Sequence, residues 1–233
     1  MKNVLYSLSA LSLLVTSQTA LAQWSTTLTG ASDYTFNGVS QTLNDPALQG
    51  SIDYAHDRGW YAGAWASNVD FGDGTDLEVD VYLGNYRELS KALSVDYGIA
   101  YYTYHGASYS SDSDYAEAYT KFAYQSSLGV SEANIWYSWD YAGTDAGHVI
   151  TMLAHSFDIA DGHTIRASID SSNSLDGDKF MWQGNHKSYY HYRLAYQTAF
   201  AGFDFEIAAE DTDIDSKYAD ERVILLISRT FSL

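Results

Sequence analysis

Glu78 and Asp80 stand two residues apart in a segment whose intervening positions, Leu77, Val79, Val81 and Leu83, are all apolar. On an extended chain, side chains two apart share a face, so the two carboxylates act together. The same alternation sets Asp53, Asp96, Glu117, Glu132, Asp140, Asp170, Asp204, Glu206 and Glu210 behind apolar neighbours. Basic residues of matching parity are few: Lys121, Arg166 and Arg193, with His191 beside them. Grouped carboxylates serve proton transfer, metal ligation or the attraction of cations, and the rest of the chain separates these. A hydrolase needs a serine or carboxylate beside a histidine. The pairs on offer are His155-Ser156 and His105 near Ser108. Adjacent strand residues face opposite ways, and no nucleophile-elbow motif surrounds either pair, so no catalytic residue is expected. The seven histidines, His56, His105, His148, His155, His163, His186 and His191, lack the close spacing that collects a metal. Asp211, Asp213, Asp215 and Asp220 alternate with short residues but lack the glycine turn and closing glutamate of an EF-hand loop. Neither metal nor cofactor is expected. Electrostatics remains: carboxylates around a water-filled lumen concentrate cations and repel anions.

The elements that must position these residues are strands. Leu93, Val95, Tyr97, Ile99 and Tyr101 alternate with Ser94, Asp96, Gly98, Ala100 and Tyr102, as in the segment around Glu78. The pattern recurs over 24–36, 48–57, 60–69, 76–89, 93–105, 114–124, 130–141, 147–158, 164–171, 188–200, 203–211 and 220–232. The eighth of these segments has ambiguous facing. The connections are alternately short and long. Short ones fall at Asp57-Arg58-Gly59, Ser90-Lys91-Ala92, Ser126 to Gly129, Asp161-Gly162 and Ala201-Gly202. Long ones are Asn37 to Ala47, Asp70 to Thr75, Gly106 to Ser113, the shorter Ala142 to Ala146, Ser172 to Lys187 and Thr212 to Ala219. An even strand count with turns on one rim and loops on the other predicts a closed antiparallel transmembrane β-barrel of about twelve strands, with short periplasmic turns and longer extracellular loops.

Lys2, the apolar run Leu8 to Val15 and the small-residue site Ala20-Leu21-Ala22 form a secretory signal over 1–22. Residues 23–233 then make a single barrel domain exported to the outer membrane. No later stretch is long and apolar enough for a spanning helix. A net charge of -18 excludes nucleic-acid partners, and the absence of cysteine excludes disulfides and thiolate chemistry. Tyr82, Tyr86, Tyr102, Tyr119 and Trp136 share the lumen parity, where they line a solute path or fill space. Tyr97, Tyr101, Tyr137, Trp139, Tyr141, Tyr190 and Tyr192 fall on the outward parity as headgroup anchors. Val223, Leu225, Ile227, Phe231 and Leu233 form an apolar terminal strand face, the kind of signal that barrel assembly machinery reads.

The run Ser32-Asp33-Tyr34-Thr35-Phe36-Asn37-Gly38-Val39-Ser40-Gln41-Thr42 resembles the signature of the TorF-type porin family. Pro46 to Ser51, Trp65 to Phe71, Glu78-Val79-Asp80 and Tyr115-Ala116-Glu117 resemble later landmarks of that family in the same order. Asn37, where an arginine is usual, and His105, where the family reads Tyr-Pro-Gly, depart from it. The first departure removes a positive charge from the first loop. The resemblance implies a barrel and an expected pore, without a solute.

Together these readings predict an outer-membrane channel for small hydrophilic solutes. Its candidate pore-lining residues are Asp53, Glu78, Asp80, Asp96, Glu117, Lys121, Glu132, Arg166, Asp170, Arg193 and Glu206, and the acidic lumen would favour cations. Its partners would be outer-membrane lipid, such solutes, and the assembly machinery. The alternative is a closed barrel acting through its loops as a binding, adhesion or scaffold protein, with a lipid hydrolase less favoured. The longest loop, 172–187, carries Phe180, Met181 and Trp182, which either meet a partner or fold inward as a constriction.

Overall fold

The computed structural model describes residues 23–182 and 185–233. The signal-peptide segment lies outside them. Fourteen strands run in chain order: β1 (Gln23–Ala31), β2 (Thr35–Phe36), β3 (Val39–Ser40), β4 (Ala47–Ala55), β5 (Trp60–Asn68), β6 (Leu77–Glu88), β7 (Leu93–His105), β8 (Tyr115–Ser126), β9 (Gly129–Ser138), β10 (His148–Ala160), β11 (His163–Ser174), β12 (Ser188–Phe200), β13 (Phe203–Thr212) and β14 (Arg222–Ser232). All except β2 and β3 join one closed antiparallel barrel. Closure falls on β1, which pairs with β4 from Gln23↔Ala55 to Ala31↔Ala47 and with β14 from Ser25↔Ser232 to Ala31↔Leu226. A closed ladder leaves no strand edge unpaired, the condition for a sheet to cross a hydrocarbon layer. Among the described residues no helix is long and apolar enough to cross a membrane.

The period-two pattern sorts the two faces. Val81, Leu83, Ile99, Leu153, Leu194 and Leu225 are exposed on the outside. Left in water, side chains of this kind would each forgo about 1.5–3 kcal/mol of burial, so the belt calls for lipid. Inside, Asp80 pairs with Tyr102 on β7 and Trp65 on β5, and all three are buried. The tyrosine rings need room, which glycines supply. A Cβ on Gly63 would collide with the Tyr82 ring, one on Gly84 with Tyr61, and one on Gly98 with the Tyr119 hydroxyl and the Leu83 carbonyl.

At one rim the connections are tight: the Ala201-Gly202 turn takes positive φ at both residues, the two-residue geometry that matches strand twist. The opposite rim carries the loops. Three strand boundaries differ from expectation for physical reasons. The first barrel strand stops at Ala31 rather than continuing to residue 36, because the chain turns inward after Ser32 exchanges hydrogen bonds with Leu225. The ninth runs through Ser174, since its serines gain ladder partners on β10 and β12, so the following loop is shorter than 172–187. The seventh ends at Ser138. Asp140 consequently sits in a loop, where its carboxylate accepts the Asp145 amide (2.6 Å). Tyr141 turns into the barrel mouth and is buried rather than serving as an outward anchor. On β10 the face is settled: Ile150 and Met152 are buried inside and Leu153 is exposed outside. Apolar residues on both faces had blurred its parity.

Candidate functional site

Of the sequence-selected residues, Glu78 and Asp80 on β6 and Glu117 on β8 form one inner wall, each almost completely buried. The Tyr104 hydroxyl donates to Glu78 Oε1 (3.3 Å) and the Tyr102 hydroxyl to Glu117 Oε1 (3.0 Å). Among the described residues, Glu78 Oε2, Asp80 Oδ1 and Glu117 Oε2 have no hydrogen-bond partner. Beside this wall, Tyr82 donates to Asp53, which also accepts from Ser51 (2.7 Å). Tyr61 donates to Asp96. Lys121 places its Nζ 4.5 Å from the Tyr119 ring centroid and 5.6 Å from that of Trp136.

The β9–β13 wall is different because its charges are paired. Arg166 binds Glu132 (3.1 Å). Arg193 binds Glu206 and also Glu210 (3.2 Å). His191 lies between Asp170 (2.7 Å) and Glu210 (3.5 Å). The structure therefore divides the candidate residues into two groups. The cations Arg166, Arg193 and His191 are paired with carboxylates on one side, where Glu210 Oε1 is left without a partner, and the unpartnered oxygens of Glu78, Asp80 and Glu117 lie on the other. A unit charge about 4 Å from a carboxylate interacts by about 4 kcal/mol at an effective dielectric near 20.

Between the walls lies an element that parity alone does not reveal. Asn37 and Gly38 both take positive φ (48° and 79°) and join β2 to β3 as a two-residue hairpin. This hairpin folds into the lumen. Phe36 meets Tyr102 on β7 edge-on, with ring centroids 6.5 Å apart. Asn37 donates to Asp170 (2.8 Å), and its carbonyl accepts the Tyr189 hydroxyl (3.0 Å). Gly38 has no space for a side chain, because a Cβ there would stand 2.5 Å from Thr212 on β13 and 2.6 Å from His191. Since β7 and β13 are opposite each other in the ring, the hairpin crosses the lumen.

The remaining residues of the signature hold it there. Asp33, buried at the hairpin base, accepts the Ser40 hydroxyl (2.6 Å) and pairs with Arg222 (2.8 Å). Thr42 donates to the Asp45 carbonyl (2.6 Å), the Gln41 amide donates to the Tyr34 carbonyl (2.7 Å), and Tyr34 packs edge-on against Trp65. The Asn-Gly pair between Thr35-Phe36 and Val39-Ser40 was the available sequence signal for this turn.

Of the two readings of the longest loop, Phe180 and Trp182 fold inward, and what sequence reasoning missed is the aromatic cluster that they join there. Tyr141, His148, Phe180, Trp182 and Tyr189 pack against one another, with centroid separations from 4.1 Å for Tyr141 and His148 to 5.8 Å for Tyr141 and Trp182. Met181 is exposed. In the same loop Lys179 pairs with Asp145, and that hydrogen bond raises its pKa. His155 shares the outer face with Ser131, to which its ring nitrogen bonds (2.9 Å), while Ser156 is buried inside.

Residues 17–231 match the bacterial family described as "Bacterial protein of unknown function (Gcw_chp)". The chain belongs to the Gcw_chp family. No curated protein matches it. Among solved structures, this Gcw_chp chain resembles the NanC porin with a TM-score of 0.60 at 11% identity, covering 88% of this chain and 98% of that one. It also resembles the KdgM porin in complex with disordered oligogalacturonate, with a TM-score of 0.58 at 6% identity, covering 90% and 99% of the two chains. At these identities the likeness is one of fold: the Gcw_chp chain is a closed, twelve-stranded barrel that shares the fold of these porins.

Proposed function

We propose that the protein is an outer-membrane channel for passive diffusion of small hydrophilic solutes and that it prefers cations. The observation carrying this reading is the asymmetry of the inner wall: Arg166, Arg193 and His191 are each paired with carboxylates on one side, where Glu210 Oε1 is left unpartnered, whereas Glu78, Asp80 and Glu117 together keep three unpartnered oxygens on the other. Burying carboxylate oxygens without partners is costly, and a passing cation offsets that cost at the point of conduction. The outer apolar belt, the porin architecture and the resemblance to TorF-type porins support the location and the pore. Oligogalacturonate, found with the KdgM porin, is an oligomer of a sugar acid, and the wall described here would repel a polyanion.

The hairpin across the mouth favours a second reading, a closed barrel that works through its loops. Solute uptake separates the two. Liposomes carrying the refolded protein are expected to swell faster in isosmotic arginine hydrochloride than in isosmotic sodium glutamate, with protein-free liposomes as the baseline. Equal rates would remove the charge preference, and swelling at the baseline in both would favour the closed barrel.

A further inference from the structure

Next to the hairpin, a cavity of about 120 Å³ remains. At the roughly 30 Å³ that each water takes up in the liquid it has room for about four waters, or for a small organic group. Its walls are mainly aromatic: Tyr34 and Phe36 come from the hairpin segment, Phe71 from the loop after β5, Tyr104 and Tyr115 from β7 and β8, and Tyr141 from the loop after β9. The rings brace one another. Phe71 and Tyr104 are 5.5 Å apart, and Tyr115 and Tyr141 meet edge-on at 5.1 Å.

The cavity also contains Glu78, which is 2% exposed and has Oε2 without a partner. The other polar contributors are Gln41, Ser113 and the phenols, and among the described residues no lysine or arginine lines it. Hydroxyl and amide groups alone would suit a neutral sugar. Glu78 changes the balance, because Tyr104 serves only its Oε1 and an apolar guest would leave Oε2 buried without a partner. A guest that carries positive charge satisfies Glu78, and its alkyl substituents suit aromatic faces, which attract cations through the ring quadrupole.

We propose that this cavity is a binding site for small organic ammonium ions, with Glu78 as the counter-charge and the surrounding rings as the cage. The inference rests on the cation-preferring reading of the lumen and gives that preference a substrate class. Bare metal cations remain hydrated and gain little from the rings, so alkylammonium ions are bound in preference to sodium. Tyr34 and Phe36 belong to the inward hairpin, so the hairpin both narrows the lumen and builds one side of the site.

The test is calorimetric titration of the folded protein, in a non-ionic detergent, with choline chloride as the probe. Its uncharged carbon isostere, 3,3-dimethylbutan-1-ol, and sodium chloride at matched ionic strength serve as comparisons. Saturable one-to-one choline binding is expected, at least tenfold tighter than the isostere and not displaced by equimolar sodium. Glu78→Gln is expected to weaken choline at least tenfold. If that variant does not fold, Phe71→Leu on the loop decides the matter with an expected loss of severalfold. Equal binding of choline and its isostere, displacement by equimolar sodium, unchanged affinity in the folded variant, or no binding by the folded wild type would each overturn the proposal. Detergent titration needs no conduction, so a cation-selective channel that ignores choline loses this site alone. A barrel silent in bilayers that binds choline loses the channel reading alone.

Discussion

Replacing Thr35–Ser40 with a short Gly-Ser linker is expected to raise single-channel conductance severalfold while leaving the barrel folded. The hairpin reaches from Tyr102 on β7 to Thr212 on β13, so it takes up cross-section where the lumen is already lined by rings. The barrel does not depend on it. β2 and β3 form a separate two-stranded sheet, and the twelve-strand ladder closes through β1, β4 and β14 without them. Its hydrogen-bonded anchors include Asn37 to Asp170, Tyr189 to Asn37, the Ser40 hydroxyl to Asp33, and the Ser40 amide to the Tyr218 carbonyl (2.7 Å). Net contributions of about 0.5–1.5 kcal/mol for each such hydrogen bond make the stability loss modest beside the gain in open area. Removal also frees Asp170 from Asn37, which adds negative potential to the wider path. Bilayer recordings of the heat-modifiable, folded variant check this. Conductance equal to that of the wild type would place the resistance elsewhere, with the Tyr141, Phe180 and Trp182 cluster next in line.

The second large effect concerns charge. The triple variant Glu78→Gln, Asp80→Asn, Glu117→Gln keeps the shape of the wall and removes the three carboxylates that keep an unpartnered oxygen on the β6–β8 side. Its permeability ratio for potassium over chloride is expected to fall most of the way to unity. Its thermal stability should hold or rise, because the variant no longer buries uncompensated negative charge. Neutralising Glu132 and Glu206 instead would strand Arg166 and weaken the hold on Arg193, and is expected to destabilise the barrel. The contrast matters because it separates charges that conduct from charges that hold the wall together. A triple variant with unchanged reversal potential would sink the role assigned to the β6–β8 wall.

Much of the architecture could be read from alternation alone. Leu77 to Glu88 and Leu93 to His105 are long, strongly periodic segments, and they pair along their whole length from Leu77↔His105 to Glu88↔Ser94. The faces of Glu78, Asp80 and Glu117 follow from the same period, since a one-residue slip would send them into lipid. Alternation stops being informative where the chain leaves the ladder. Tyr141 has outward parity only if the strand continues beyond Ser138, and a short helical turn at Tyr141–Gly143 redirects it inward. Pairing of charges is not local either. Arg193 and Glu210 are neighbours because β12 and β13 are in register, whereas Glu132 and Arg166 meet across the intervening strand β10. Whether a carboxylate is matched or free thus depends on register around the barrel, which composition cannot supply. The inward hairpin was marked locally by Asn37-Gly38, but nothing local says that a turn after Ser32 points into a lumen rather than out to water. Its destination is fixed by distant partners, Asp170, Tyr189 and Arg222.

The central claim is that unmatched carboxylates on one wall make the barrel a cation-preferring channel. It is tested most directly by the zero-current potential of the wild-type protein in a planar bilayer under a tenfold potassium chloride gradient. The account predicts discrete steps of low conductance with a potential displaced in the potassium direction, toward the ~59 mV limit for a monovalent ion. A potential displaced in the chloride direction, or silence from a barrel shown to be folded and inserted, would contradict it.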